Sequence, residues 1–427
     1  MPIHSALARV GAILALMVMS GSASAAEQNL SNDAALGARL EPLLNAVQTM
    51  SPTLSAAALT AEAALNRVDG AGTLPDPTFR VQLKDIDREP GGILPQRFNR
   101  IDYTVEQEFP LWGKRGIARD IAGAQASQAG AERDTVKLDL LAAVKQTFAA
   151  YYVAYESIAT TRAIRQTVTL AAEVAQKRYE QTLGSQQDAI MLKVEVADLD
   201  TAIIRKETDE RRAAAKLNAL LNRSLDAPLA VPEALPALPS DTVLSPSTLF
   251  DRARGTNPRI KALDATINAA YGTKTLAEKS WYPDVTLGLS IVDQSRHWQG
   301  YEAMVSVKIP LNNAQRRAET SATTSELGAA RNKRDAALAD LRGGIETSYW
   351  NFTEAQRVAA ILHESHIPQA ELALKSALSG YAQNRVTLTV VLDASRHALQ
   401  NQLEHLTALY QQQIAVAEIE RLVGAPL

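Results

Sequence analysis

Four stretches of the chain alternate apolar and polar residues with a period of two, the pattern of strands that carry one apolar face. In the first, Phe79, Val81 and Leu83 point one way and Arg80, Gln82 and Lys84 the other; in the second, Ile101, Tyr103, Val105 and Phe109 oppose Asp102, Thr104, Glu106 and Glu108. The third places Val285, Leu287, Leu289 and Ile291 on one face, and the fourth sets Tyr301, Ala303, Val305, Val307 and Ile309 against Glu302, Ser306 and Lys308. Strands are predicted at about 78–87, 101–109, 285–292 and 301–309. After each pair the period changes. Leu141, Val144, Phe148, Tyr151, Tyr155 and Ile158 recur at spacings of three and four, as do Leu338, Leu341, Ile345, Ser348, Phe352 and Ala355, which is the seam of a coiled coil. No Pro falls between Pro110 and Pro228 and no Gly between Gly130 and Gly184. One helix from about Ile117 to Leu183 would be on the order of 100 Å long, more than an ordinary globular domain uses.

The same order of parts occurs twice. Ser51-Pro52 stands opposite Asn257-Pro258, and Pro77 opposite Pro283, at an offset of 206; Glu108-Phe-Pro-Leu111 matches Lys308-Ile-Pro-Leu311 at 200, and Tyr179 matches Tyr381 at 202. The two changes of offset fall between Pro77 and Phe109 and near Pro368, where loops and helix irregularities absorb insertions. The expected organisation is a first repeat over 26–226, a linker over 227–246 punctuated by Pro228, Pro232, Pro236, Pro239 and Pro246, and a second repeat over 247–427. Each repeat starts with a helical stretch, Ser31 to Arg67 and Pro246 to Lys279.

The N-terminus adds an address. Arg9 precedes an apolar run from Val10 to Met19, and Ala23-Ser24-Ala25 makes a small-residue cleavage site, so residues 1–25 read as an export signal; a short membrane anchor is the alternative. No later stretch has about 18 consecutive apolar residues. Composition narrows the chemistry. There is no Cys, hence no disulfide, thiolate metal site, Cys nucleophile or lipidated Cys. A net charge of −3 does not suit a nucleic-acid partner. The 73 Ala residues, more than twice ordinary usage, suit long helices packed closely. No nucleotide loop, Ser-His-Asp arrangement or metal motif is present, so no enzyme, catalytic residue or cofactor is expected. Met50, Met191 and Met304 are too scattered for a soft-metal relay, and His363 and His366 lack the surroundings of a metal site.

Strands of about nine residues cross a bilayer when tilted. Aromatic residues gather at both strand ends, with Phe98, Trp298 and Tyr301 near the hairpin connections and Phe109, Trp112, Trp281 and Tyr282 near the helix junctions, like the girdles of an outer-membrane barrel. A small soluble sheet would alternate in the same way, but no amphipathic helix is left to cover the apolar face. Four strands cannot close a barrel and an open edge is prohibitive in lipid, so several copies must share one; three would give twelve strands around a wet lumen of mixed charge. Lys114, Arg115, Arg316 and Arg317, just past the strand pairs, are candidates to hold lipid phosphates at the membrane interface, or simply solvated helix starts.

These features together resemble the TolC-type outer-membrane efflux proteins over essentially the whole mature chain. The resemblance rests on the duplication, the strand-strand-helix order, Asn257-Pro258, the junctions Gln107-Glu-Phe-Pro-Leu-Trp-Gly-Lys-Arg115 and Val307-Lys-Ile-Pro-Leu311, and the segments Tyr179 to Gly184 and Tyr381 to Asp393. It implies a homotrimer in the outer membrane: a shared twelve-strand barrel continued by a periplasmic tunnel of coiled-coil helices. The tunnel tip would engage a periplasmic adaptor and an inner-membrane proton-driven pump. It implies further that Tyr179 and Tyr381 are tip aromatics and that Asp188 and Asp393 are acidic residues at the aperture. Val390 and Val386 depart from the acidic and basic residues the family can carry there. The wording at 107–115 is most similar to the heavy-metal branch; a drug or protein-secretion duct, or a periplasmic coiled-coil scaffold, are the alternatives.

Overall fold

A computed structural model describes residues 36–87, 97–239, 245–294 and 297–427. The expected export signal, the helix start at Ser31, the hairpin connections at 88–96 and 295–296 and the side chain of Phe98 lie outside the described residues. Two compact units result. One holds the chain up to Leu54, Val136–Ala253 and Leu341–Leu427, the other Ser55–Thr135 and Arg254–Asp340.

The elements run α1 (Leu40–Met50), α2 (Pro52–Ala71), β1 (Thr78–Asp87), β2 (Arg97–Phe109), α3 (Lys114–Glu180), α4 (Gln186–Leu220), α5 (Pro246–Thr256), α6 (Pro258–Lys279), β3 (Asp284–Gln294), β4 (His297–Lys308), α7 (Asn313–Ile361), a π-turn (Leu362–His366), α8 (Ile367–Ala382) and α9 (Leu388–Val423). Local chemistry sets several of these boundaries. Asn257 caps α6 by accepting the Ile260 N–H at 3.1 Å, with Pro258 in the first turn, where its missing N–H costs nothing. Ser51 stands in the same relation to Pro52 and accepts from Leu54 N–H at 3.5 Å. With no Pro or Gly in its second half, α3 runs for 67 residues.

In the second unit the four strands form one antiparallel sheet in the order β1-β2-β3-β4. The register aligns Phe79, Val105, Leu289 and Ala303 in one row across the sheet and Val81, Tyr103, Ile291 and Tyr301 in the next, so every strand contributes to one continuous apolar face. That face is the exposed one: Leu289, in the middle of the sheet, is 57% accessible. The other face is polar; along the central strands Asp102, Thr104 and Ser290 are buried, while Arg80 and Glu302 on the outer strands are exposed. Arg80, Thr104, Ser290 and Glu302 form a row across it, and the Thr104 and Ser290 hydroxyls are 2.7 Å apart. Asp102, only 3% exposed, is held between Lys84 Nζ at 2.6 Å and Arg100 Nε at 2.6 Å; Arg100 also reaches Glu302 at 2.5 Å, and Arg80 reaches Glu106 at 2.9 Å. A soluble sheet buries its apolar face and solvates its polar one; this sheet leaves its apolar face open and buries polar side chains of its two central strands. Within the chain β1 pairs only with β2 and β4 only with β3, leaving two open edges among the described residues.

In the first unit, Val144, Phe148 and Tyr151 of α3 pack with Leu43 and Val47 of α1 and Leu217 of α4 into a core from which water is excluded. The buried Asn218 donates to the Leu225 and Ala227 carbonyls, at 3.2 and 2.8 Å, and turns the chain into the linker. The second long helix is interrupted where the first is not. Pro368 has no N–H and its ring crowds the carbonyl four residues back, and just before it the chain widens into the π-turn, where the Ile367 N–H bonds back to the Leu362 carbonyl.

Candidate functional site

The long helices reverse at two turns that share one backbone design. At the end of α3, Leu183 N–H bonds to the Arg178 carbonyl at 2.8 Å and Thr182 N–H to that of Tyr179 at 3.0 Å; at the end of α8, Arg385 N–H bonds to Gly380 at 2.8 Å and Asn384 N–H to Tyr381 at 3.1 Å. These are paired six-to-one and five-to-two bonds, which require a left-handed residue just past the helix. Thr182 (φ 61°) and Asn384 (φ 60°) fill that place. Asn tolerates it, whereas a β-branched Thr is strained there. Thr182→Gly is therefore expected to stabilise the protein by about 0.5–1 kcal/mol, read as a rise in the midpoint of thermal unfolding; a lowered midpoint would show that the Thr182 side chain supports the turn.

Between the two turns lies a polar clasp. Tyr381, only 5% exposed, donates its phenol to Asp188 Oδ2 at 2.9 Å. The Arg178 guanidinium stacks over the Tyr381 ring, 4.9 Å from its centroid, and donates to the Tyr381 carbonyl at 2.5 Å, the Leu183 carbonyl at 3.3 Å and the Asn384 side-chain oxygen. Burial first, and then the hydrogen bond to the Asp188 carboxylate, push the Tyr381 phenol up to about 12. Further along, the Arg396 guanidinium grips the buried Glu195 carboxylate with both nitrogens, at 2.5 and 3.2 Å. A carbon added at Gly184 would lie 3.1 Å from Arg178 Cβ, so the missing side chain there leaves room for the Arg178 stem.

Of the residues named from sequence, Tyr381 and Asp188 thus meet directly. Tyr179 is exposed at the other end of its turn, and Asp393 is exposed on α9, three residues before Arg396. Arg178 and Asn384 complete the clasp and had no signal of their own in the sequence: an Arg in the last turn of a helix is ordinarily a solvated partner of the helix dipole.

The strand-to-helix junction is a second polar cluster. Trp112 (φ 64°) and Gly113 (φ 77°) turn the chain from β2 into α3. The indole N–H of Trp112 donates to the Pro283 carbonyl at 2.7 Å, and its ring lies 5.2 Å from that of Tyr282. Lys114, read from sequence as a candidate for lipid phosphate, is paired with Asp284 at 2.7 Å and donates to the Tyr282 carbonyl at 2.9 Å. Arg115 donates to the Gly72 carbonyl and Arg316 to that of Ser280, while Arg317, Trp281 and Tyr282 remain exposed or nearly so. Lys114 ties the start of α3 to the start of β3, while Arg115 and Arg316 tie the starts of α3 and α7 to the chain ahead of β1 and β3.

Among the described residues no group of three or more His, Asp or Glu is placed to hold a metal, and no helix is long and apolar enough to cross a membrane. His363 stacks on His405, ring centroids 5.5 Å apart, and the His366 carbonyl accepts from Asn401 at 3.5 Å.

Residues 249–425 match the model of a family described as outer membrane efflux protein. The chain is similar to the cobalt-zinc-cadmium resistance protein CzcC of Cupriavidus metallidurans, 23% identical over 393 residues that cover 87% of this chain and 92% of that protein. Among solved structures, the outer-membrane channel OprN superposes with a TM-score of 0.80 at 17% identity, covering 90% of each chain. The outer membrane protein VceC from Vibrio cholerae does so with a TM-score of 0.77 at 19% identity, covering 91% of this chain and 96% of that one. The fold is that of these outer-membrane proteins.

Proposed function

We propose, from the match of residues 249–425 to the outer membrane efflux protein model and from the polarity of the sheet, that the protein is one protomer of a passive exit duct in the outer membrane of a Gram-negative cell. The observation that carries this reading is the inverted polarity of the sheet. An open apolar face backed by a polar face whose charges pair within the chain suits a wall with lipid on one side and a wet lumen on the other. The open edges of β1 and β4 must be paired in lipid, and three copies joined edge to edge close a twelve-strand barrel. Trp112, Trp281 and Tyr282 then sit at the level of the lipid headgroups, with Arg317 free to meet phosphates. The helices extend into the periplasm, where the turns after Tyr179 and Tyr381 form a tip that meets a periplasmic adaptor and an inner-membrane proton-driven pump. In this reading Asp188 and Asp393 stand near the mouth, where three copies of a carboxylate favour cations.

Heavy-metal cations are the favoured cargo, supported by the similarity to the cobalt-zinc-cadmium resistance protein and by the wording of residues 107–115. Protein purified from outer membranes should run as a heat-modifiable trimer and conduct in planar bilayers, and cells lacking it should lose tolerance to cobalt, zinc or cadmium. A soluble monomer without conductance would overturn the duct; unchanged metal tolerance would overturn the cargo.

A further inference from the structure

Resting on the reading above, in which three copies join edge to edge and so set first and second repeats alternately around one ring, we propose that neighbouring copies meet at the tip through an uncharged seam. Tyr179 and Val194 of one copy face Val390 and His397 of the next, while the two hairpins inside each chain are locked by charge. The argument starts from the turns. Their hydrogen bonds and left-handed residues coincide at an offset of 202, Thr182 with Asn384 and Tyr179 with Tyr381. In a ring of alternating hairpins each contact between first and second hairpin therefore occurs twice per copy, once within the chain and once between chains, with the offset exchanging the roles.

Inside the chain the contact is ionic and hydrogen-bonded: Tyr381 to Asp188, Arg178 to Tyr381 and Asn384, Arg396 to Glu195. At the positions 202 residues away every charged member is gone. Asp188 is answered by Val390, Arg178 by Gly380, Glu195 by His397 and Arg396 by Val194; only the tyrosine is kept, as Tyr179. Single-chain exposure follows the same division. Tyr381 is 5% accessible, whereas Tyr179 is 41%, Val390 46% and Val194 55%. These exposed side chains carry no carboxylate, guanidinium or ammonium to match a charged partner, and their counterparts already fit each other in the intrachain contact, so the occupant is a second copy of this chain.

The absence of Cys makes the test clean. Tyr179→Cys combined with Val390→Cys, oxidised in isolated outer membranes, should give chains of doubled and tripled mass on non-reducing gels. The pair Val194→Cys with His397→Cys should do the same and decides the matter if the first variant does not assemble. As reference, Glu195→Cys with Arg396→Cys should cross-link only within the chain. Unlinked or internally linked monomers from both seam pairs, in protein that still runs as a heat-modifiable trimer before oxidation, would overturn the seam while leaving the duct intact. A monomeric unsubstituted protein would overturn the duct, and the seam with it.

Discussion

Leu289→Arg is expected to remove the proposed duct from the outer membrane. Leu289 stands in the middle row of the apolar face, between Val105 and Ala303, and is already 57% exposed. In a water-soluble sheet a cation there would cost almost nothing, because surface substitutions away from special contacts stay within about 0.5 kcal/mol. Facing lipid near the bilayer midplane, an Arg costs about 2–4 kcal/mol, and in the proposed barrel three copies would carry that cost together. Assembled trimer in the outer-membrane fraction should fall at least roughly tenfold, since 1.4 kcal/mol is already a factor of ten. Gln82→Arg places the same cation on the polar face and should assemble normally. Equal yields of the two variants would mean that the apolar face does not meet lipid.

Arg178→Ala should have the second-largest effect, on the tip. The substitution removes donors to the Tyr381 and Leu183 carbonyls and the Asn384 side chain, and the cation over the Tyr381 ring. Hydrogen bonds from a charged donor contribute about 1.5–3 kcal/mol, so the resting conductance of the duct should rise roughly tenfold or more. Arg178→Lys should not rescue it, because an ammonium cannot stack on the ring and reach several oxygens at once. Tyr381→Phe removes only the bond to Asp188 and should give a smaller rise. The pH dependence has a definite sign. The phenol is raised from about 10 to about 12 in the folded protein, so its contribution is complete below about pH 10 and is lost as pH rises through 12. Resting conductance that climbs between pH 7 and 9 in the native protein, but not in Tyr381→Phe, would contradict this.

The strands and the seams are legible in the sequence because both are periodic and the period survives into the fold. Val144, Phe148, Tyr151 and Ile158 are buried as their spacing predicts, and so are Leu341, Ile345, Ser348, Phe352 and Ala355. Residues 285–292 and 301–309 are predicted as strands, against β3 at Asp284–Gln294 and β4 at His297–Lys308. The clasp is less legible. Its turns hide their left-handed residues, since Thr182 and Asn384 stand where a Gly would have marked them. Arg178 acts on a tyrosine 203 positions away, and no local pattern encodes such a pairing. Lys114, Arg115 and Arg316 illustrate the converse. A basic cluster beside a membrane strand suggests phosphate, yet Asp284 and the backbone carbonyls of Gly72, Tyr282 and Ser280 engage these cations. The hairpin registers bring Gly72 to Arg115 and Ser280 to Arg316, and the register between β2 and β3 brings Asp284 and Tyr282 to Lys114.

That register also bears on the order in which the molecule assembles. Each helical hairpin joins segments adjacent in the chain through a tight turn, whereas β2 finds β3 only by bringing Arg100 to Gln294. Closing a loop on the order of 200 residues carries an entropic cost that local contacts avoid, and topologies with near contacts form faster. The hairpins should therefore be complete while the strands are still separate pairs. In the proposed duct, a newly made chain would then carry its lipid-seeking surface as two short ribbons until the long-range pairing unites them.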